Sequence, residues 1–250
     1  MVDVLDRFYD EIWVAGSRAV FDTVELYDFP DQVRRRTRYC GYVVRASAPG
    51  DVDRLREDMR LDERPRVLVS CGGGGDGFEL MEAWTHVAAG LARDGIDSIV
   101  LLGPDMPLPQ RRQLRAQLMP LGDRVMIFDF SPDVPELLAL STVSVSMAGY
   151  NTVCEVVSAG KPALLVPRTE PRAEQWLRAK ALADLDLVSV LLPSDLTPAT
   201  LDRSVRDLLA RAQTGWRPTL PPEVDFAGAT RIARRVRKQL AMPAAEDEPS

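Results

Sequence analysis

Residues 146–167 read Ser-Met-Ala-Gly-Tyr-Asn-Thr-Val-Cys-Glu-Val-Val-Ser-Ala-Gly-Lys-Pro-Ala-Leu-Leu-Val-Pro. A loop of small residues feeding a helix leaves backbone N–H groups without partners and a partial positive charge beside them, which together make a receptor for an anion. Glu155 follows inside that helix, where a carboxylate can accept hydrogen bonds from sugar hydroxyls. It also reads as a solvated helix carboxylate, although its spacing from Gly149 favours the ligand. Asn151 and Thr152 are candidates for the anion site and equally for a simple helix cap. Gly160 and Pro162 end the helix, and 163–166 is an interior strand that helps locate the site without supplying it.

A second candidate is Cys71-Gly-Gly-Gly-Gly-Asp-Gly77. Gly72, Gly74 and Gly77 satisfy the GxGxxG spacing of dinucleotide-binding loops, but four consecutive glycines match many patterns. That fingerprint also wants an acidic residue closing the next strand. Here that strand ends in Leu101-Leu102-Gly103, with Asp105 only a displaced candidate. What survives is physical: glycines let the backbone approach a phosphate or sugar without a Cβ in the way. A turn with no ligand is the alternative.

Several chemistries are excluded. The one histidine, His86, falls inside a predicted helix, which removes Ser-His-Asp, Cys-His and multi-histidine metal sites. Cys40, Cys71 and Cys154 are far apart, so neither a zinc site nor a disulfide framework is expected, and a reducing cytosol fits. A net charge of −6 argues against a nucleic-acid partner. No apolar run is long enough to cross a bilayer and the start lacks the layout of a signal peptide, so the expectation is a cytoplasmic protein whose membrane contact, if any, comes through a partner.

The elements that must position these loops follow from patterning. Short β-branched runs at 67–70, 98–102, 125–128, 143–145, 163–166 and 188–192 alternate with amphipathic segments at 78–93, 109–119, 134–140, 152–159, 173–182 and 201–212. Such alternation predicts an α/β, Rossmann-like fold, a mostly parallel sheet with helices on both faces. Residues 11–15 and 39–45 look like strands lacking the helices that would complete βαβ units, 225–240 has helical character, and 243–250 is an acidic tail. The expected division is 1–60, 61–215 and 216–250.

The two loops together resemble the carboxy-terminal donor-binding domain of GT-B glycosyltransferases, in particular the lipid II N-acetylglucosaminyltransferase family (glycosyltransferase family 28). The resemblance covers 66 to about 212. It is carried by Gly72-Gly-Gly-Gly75, Phe128-Asp-Phe-Ser-Pro-Asp133, Ala148-Gly-Tyr-Asn-Thr-Val-Cys-Glu155, Gly160-Lys-Pro-Ala-Leu-Leu-Val-Pro167 and Glu174-Gln175. It implies one half of a GT-B fold and hexosyl transfer from a nucleotide-diphosphosugar, a UDP-sugar first, with no cofactor and no metal. By the resemblance, Gly72, Gly73, Gly74, Gly75, Gly149, Tyr150, Asn151 and Thr152 would hold the diphosphate and Glu155 the ribose. Phe130 and Ser131 would meet the nucleobase, and Glu174 and Gln175 the donor sugar. A strand-ending phenylalanine such as Phe130 is as readily core. Arg168, Arg172 and Arg178 depart from the family pattern; Arg168 reads as a diphosphate contact or as a solvated arginine.

In that family the amino-terminal domain supplies the acceptor site and the catalytic base, so no catalytic residue is assigned. Residues 8–45 would be that domain's last strand and connector, and 225–240 the helix crossing back to it. The chain would be a shortened frame, or one part of a split enzyme whose acceptor domain is a separate polypeptide, as in the two-subunit transferase of the dolichol pathway. A nicotinamide- or flavin-binding oxidoreductase domain, half of a nucleotide-sugar epimerase and a non-catalytic partner retaining the fold are the other readings.

Overall fold

The computed structural model describes residues 2–45 and 48–240; the acidic tail at 243–250 lies outside them. Contacts divide the chain into two units, 1–44 with 220–250, and 45–219.

In the smaller unit α1 (Val2–Phe8) precedes β1 (Ile12–Val14), α2 (Thr23–Leu26), α3 (Asp31–Arg36) and β2 (Thr37–Tyr39). β1 and β2 pair in parallel, Ile12 opposite Thr37. The strands expected at 11–15 and 39–45 therefore do have helices between them. The second strand ends early, before Gly41 turns the backbone to φ +82°. Neither helix was evident from periodicity, because one of four residues and one of six are too short to show it. They form for local reasons. Asp22 caps α2, its carboxylate accepting from the N–H groups of Val24 at 3.1 Å and Glu25 at 3.2 Å. Val24, Phe29 and Val33 close a small core beneath.

The larger unit opens with α4 (Pro49–Asp58) and continues through β3 (Arg66–Ser70), α5 (Phe78–Arg93), β4 (Asp97–Leu101), α6 (Leu108–Leu118), β5 (Val125–Phe128), α7 (Val134–Leu140), β6 (Val143–Ser146), α8 (Tyr150–Ser158), β7 (Ala163–Leu165), α9 (Glu174–Asp184), β8 (Ser189–Val190) and α10 (Pro198–Gln213). The remaining helix, α11 (Gly228–Leu240), belongs to the smaller unit. By these contacts α4 goes with the larger unit, whereas the sequence-based division grouped 49–58 with the first 60 residues.

The larger sheet is parallel throughout in the order β5-β4-β3-β6-β7-β8. β3, β4 and β6 are buried along their whole length, as strands covered on both faces must be. Around them pack Trp84, Leu91, Leu114, Leu201 and Val205, all inaccessible to solvent, and each such side chain contributes roughly 1.5–3 kcal/mol through burial. The strand order reverses between β3 and β6, which lie side by side with Ser70 opposite Ser146. That is the topological switch point of a doubly wound sheet, and the loops leaving the carboxyl ends of these two strands must diverge around a crevice.

Candidate functional site

The loop leaving β6 reaches α8 at Gly149, which occupies the N-cap position at φ −59°, ψ 149° with no side chain capping the helix. The first intrahelical bond runs from Val153 N–H to Gly149 O at 2.9 Å. Asn151 and Thr152 therefore stand at the second and third helical positions and neither serves as the cap. The helix begins two residues earlier than the pattern suggests, which moves both side chains inside its first turn and leaves the turn's backbone donors to the crevice.

The loop leaving β3 has a different construction. Gly72 and Gly74 adopt φ of +63° and +94°. A Cβ on Gly74 would lie 2.5 Å from the Leu102 carbonyl, and one on Gly103 2.5 Å from that of Gly73. Asp105 N–H donates to Gly73 O at 2.7 Å. Two backbones are thus pressed together with no room for side chains. Gly77 is pressed against the Cys71 side chain, so the third glycine of the GxGxxG match serves helix-to-strand packing. A Cβ on Gly75 would meet nothing within 4 Å, and one on Gly72 would come within 3.3 Å of Thr152 Oγ1, which brings the two loops face to face.

Between them lies a cleft of about 560 Å³, lined by Gly72, Gly73, Gly74, Gly75, Gly149, Tyr150, Asn151, Thr152, Glu155, Phe130, Ser131 and Gln175. Phe130 is 65% exposed, so it is no part of the core and presents its ring at the cleft. Ser131 Oγ accepts from Asp133 N–H at 3.1 Å, shaping the turn into α7. Gln175 Oε1 accepts from Arg168 N–H at 3.1 Å, holding the amide at the rim. Gln175 lines the cleft and Glu174, the first residue of α9, does not, since a helix start turns neighbouring residues about 100° apart. Arg168 does not line it either, its guanidinium pairing with Asp76. Arg178 lies with its guanidinium 5.6 Å from the Tyr150 ring centroid and donates to Ala148 O at 3.2 Å, supporting the α8 entrance from behind.

Glu155 is half-buried at the cleft floor. Burial pushes its carboxyl above the ordinary glutamate value and nearby Glu136 adds to this, while the Arg45 guanidinium opposes it. Sequence reasoning missed that pair. Arg45 donates to Glu136 at 3.0 Å and to the Pro132 carbonyl, tying the turn that carries Phe130 and Ser131 to the start of α7. No pattern could have indicated it, since the partners are separated by about ninety residues. Asp76, Asp105 and Asp129 also line the cleft. Asp129 is committed to Arg115 at 3.0 Å and Arg111 at 3.4 Å.

Among the described residues no lysine, arginine or histidine lines the cleft, so what it offers an anion is backbone N–H groups and the α8 dipole. Among the described residues no cluster of His, Cys, Asp or Glu is arranged to hold a metal, and no helix is long and apolar enough to cross a membrane. All three cysteines are free and buried; burial pushes the Cys71 thiol up to about 12 and Cys154 up to about 11, which leaves both inert.

The chain is similar to proteins named UDP-N-acetylglucosamine--N-acetylmuramyl-(pentapeptide) pyrophosphoryl-undecaprenol N-acetylglucosamine transferase. The match is 31% identical over 157 residues in Exiguobacterium sp., covering 62% of this chain and 42% of that protein. In Mycobacterium tuberculosis it is 34% over 187 residues, covering 72% and 44%. The chain thus spans less than half the length of these curated relatives. The fold is shared with the glycotransferase of kitacinnamycin, at a TM-score of 0.63 and 18% identity over 92% of this chain and 54% of that one. It is shared also with MurG of Acinetobacter baumannii, at 0.56 and 15% over 95% and 78%. This is the Rossmann-like half of a GT-B fold. Residues 67–220 match the model of the glycosyltransferase family 28 C-terminal domain, over a span that holds both glycine loops and Glu155, and the chain belongs to that family.

Proposed function

We propose that this chain binds the nucleoside diphosphate of a sugar donor, a UDP-sugar first, and serves hexosyl transfer from it. The observation that carries the reading is the convergence of an uncapped helix start and a half-buried carboxylate in one cleft free of cations. The diphosphate lies against Gly149, Tyr150, Asn151 and Thr152, with Gly72 and Gly75 opposite. Glu155 accepts from the ribose hydroxyls. Phe130 and Ser131 meet the nucleobase, and Gln175 the sugar. The names of the relatives, which give UDP-N-acetylglucosamine as donor, support uridine over other bases.

In the transfer, the bond from sugar C1 to the diphosphate oxygen breaks as the acceptor oxygen bonds to C1, and the acceptor proton passes to a base. The α8 N-terminus stabilises the charge growing on the departing diphosphate, a task that needs no metal when the donors are already aimed. Arg45 acts at a distance by fixing the turn that carries Phe130. Three of the cleft carboxylates are engaged, Asp76 with Arg168, Asp129 with two arginines and Glu155 with the ribose, and Asp105 sits against the Gly73 backbone. Deprotonation and acceptor choice are assigned to an acceptor domain, including one on a separate polypeptide.

The oxidoreductase reading loses its footing, because β4 ends without a ribose-binding carboxylate and the glycine spacing is explained by packing. Calorimetric titration with UDP, GDP, dTDP and NADH tests the proposal. Binding of UDP in preference to the others is expected; a folded protein that binds NADH and none of the nucleoside diphosphates overturns it.

A further inference from the structure

At the amino-terminal edge of the larger sheet, opposite the cleft, lies a cavity of about 240 Å³ whose wall is almost wholly polar. It forms where β3, β6 and β7 begin, and is lined by Arg56, Arg64, Arg66, Lys161 and Arg217, with Glu63 the only acidic side chain among the described residues. Part of this charge is compensated. Arg56 pairs with Glu63 at 3.0 Å, and Arg64 and Arg66 share Asp62, Arg64 at 2.5 Å and Arg66 at 2.8 Å.

The rest is not. Arg217 makes no ion pair among the described residues, its guanidinium donating to the Trp216 carbonyl at 2.9 Å. Lys161 donates to the carbonyls of Ala139 and Ser141, neutral acceptors that leave its charge unopposed. Burial first, then Arg217 and Arg56, pushes the Lys161 ammonium down to about 8. Arg66 is only 3% exposed, yet its Nε finds no acceptor. An orphaned buried donor costs stability, and the uncompensated charges of Lys161 and Arg217 repel one another across one small cavity, so a fold that keeps both favours whatever anion fills the space.

We propose that this cavity is a second anion site, taking a phosphate group held by Lys161, Arg217 and Arg66. Guanidinium forks suit a tetrahedral oxyanion, and the compactness of the space excludes a nucleotide base alongside it. The shared chemistry is an anionic phosphate group, from free phosphate in solution or from the phosphodiester headgroup of an anionic lipid. The inference stands apart from the donor reading, because the two sites occupy opposite edges of the sheet.

Two probes separate the sources. Inorganic phosphate is titrated into the full chain by calorimetry in a chloride buffer, and vesicles of phosphatidylglycerol or phosphatidylcholine are sedimented with it. Arg217→Ala is the first variant, chosen because that side chain is exposed and carries no core packing; Lys161→Met is the second. Phosphate binding that weakens about tenfold in Arg217→Ala, the equivalent of one lost charge-assisted contact, is expected. Sedimentation with phosphatidylglycerol alone, lost in the same variant, assigns the headgroup as the source; phosphate binding without sedimentation assigns free phosphate. Either supports the site. No response to either probe, or responses unchanged in Arg217→Ala, overturns it.

Discussion

The two glycine-containing loops at the switch point both run from a strand to a helix and are built for opposite purposes. The loop after β3 uses glycine to let backbone meet backbone: Gly74 and Gly103 interlock with Leu102 and Gly73, and Gly77 yields to Cys71. The loop after β6 uses one glycine to begin a helix without a capping side chain, so that the donors of the first turn remain available. One loop sets the height of the cleft wall and the other offers chemistry. A run of glycines is therefore a weaker sign of a ligand than a single glycine at an uncapped helix start.

The contrast can be broken by substitution. The largest effect is expected at Gly74→Ala, where the residue must hold φ +94° with a Cβ 2.5 Å from a carbonyl. Strain and overpacking together cost about 2–4 kcal/mol, read by chemical denaturation. Gly103→Ala should behave alike. A loss below about 0.5 kcal/mol at both positions would mean the interlock is incidental.

The next test concerns pH. Because burial raises the Glu155 pKa, UDP affinity should fall as pH drops through a value above that of an ordinary glutamate, since a protonated carboxyl cannot accept from both ribose hydroxyls. The stability sign is opposite: a raised folded-state pKa gives a contribution that is present at low pH and lost as pH rises through it. Arg45→Met should move the binding transition upward, because Arg45 opposes the shift. A transition unmoved by that change, followed by calorimetry across a pH series, would separate Arg45 from Glu155.

Phe130→Ala is expected to weaken UDP binding about fivefold, near 1 kcal/mol of base stacking, with no loss of stability because the ring is exposed. The smallest effect belongs to Gly75→Ala. Its Cβ meets nothing within 4 Å, so stability should stay within about 0.5 kcal/mol, in contrast to Gly74 one residue earlier.

Much of this was legible in the chain itself. Fully buried parallel strands such as Arg66–Ser70 and Val143–Ser146 announce themselves as β-branched runs, and α5 and α7 fall where periodicity places them. The helices α2 and α3 escaped notice because a single turn carries no period, and with them the parallel β1–β2 pair. Helix starts were harder still. Placing α8 two residues late left Asn151 and Thr152 as possible caps, and Glu174 entered the site through the family resemblance, which does not fix which residue at the start of α9 faces the cleft. The division of labour among the glycines depends on Leu102 and Asp105, which approach only through the sheet. The basic cavity draws Arg56, Lys161 and Arg217 from three distant segments, a convergence that local pattern does not encode.

The central claim is that Glu155 and the uncapped start of α8 form a nucleoside-diphosphate site. Calorimetric titration of UDP into the wild-type chain and into Glu155→Ala tests it most directly, with circular dichroism confirming that both are folded. The account predicts saturable one-to-one binding to wild type that weakens at least about tenfold in the variant, as expected for loss of a charge-assisted pair of hydrogen bonds. Equal affinity in the two proteins, or a folded wild type that takes up no UDP, would contradict it.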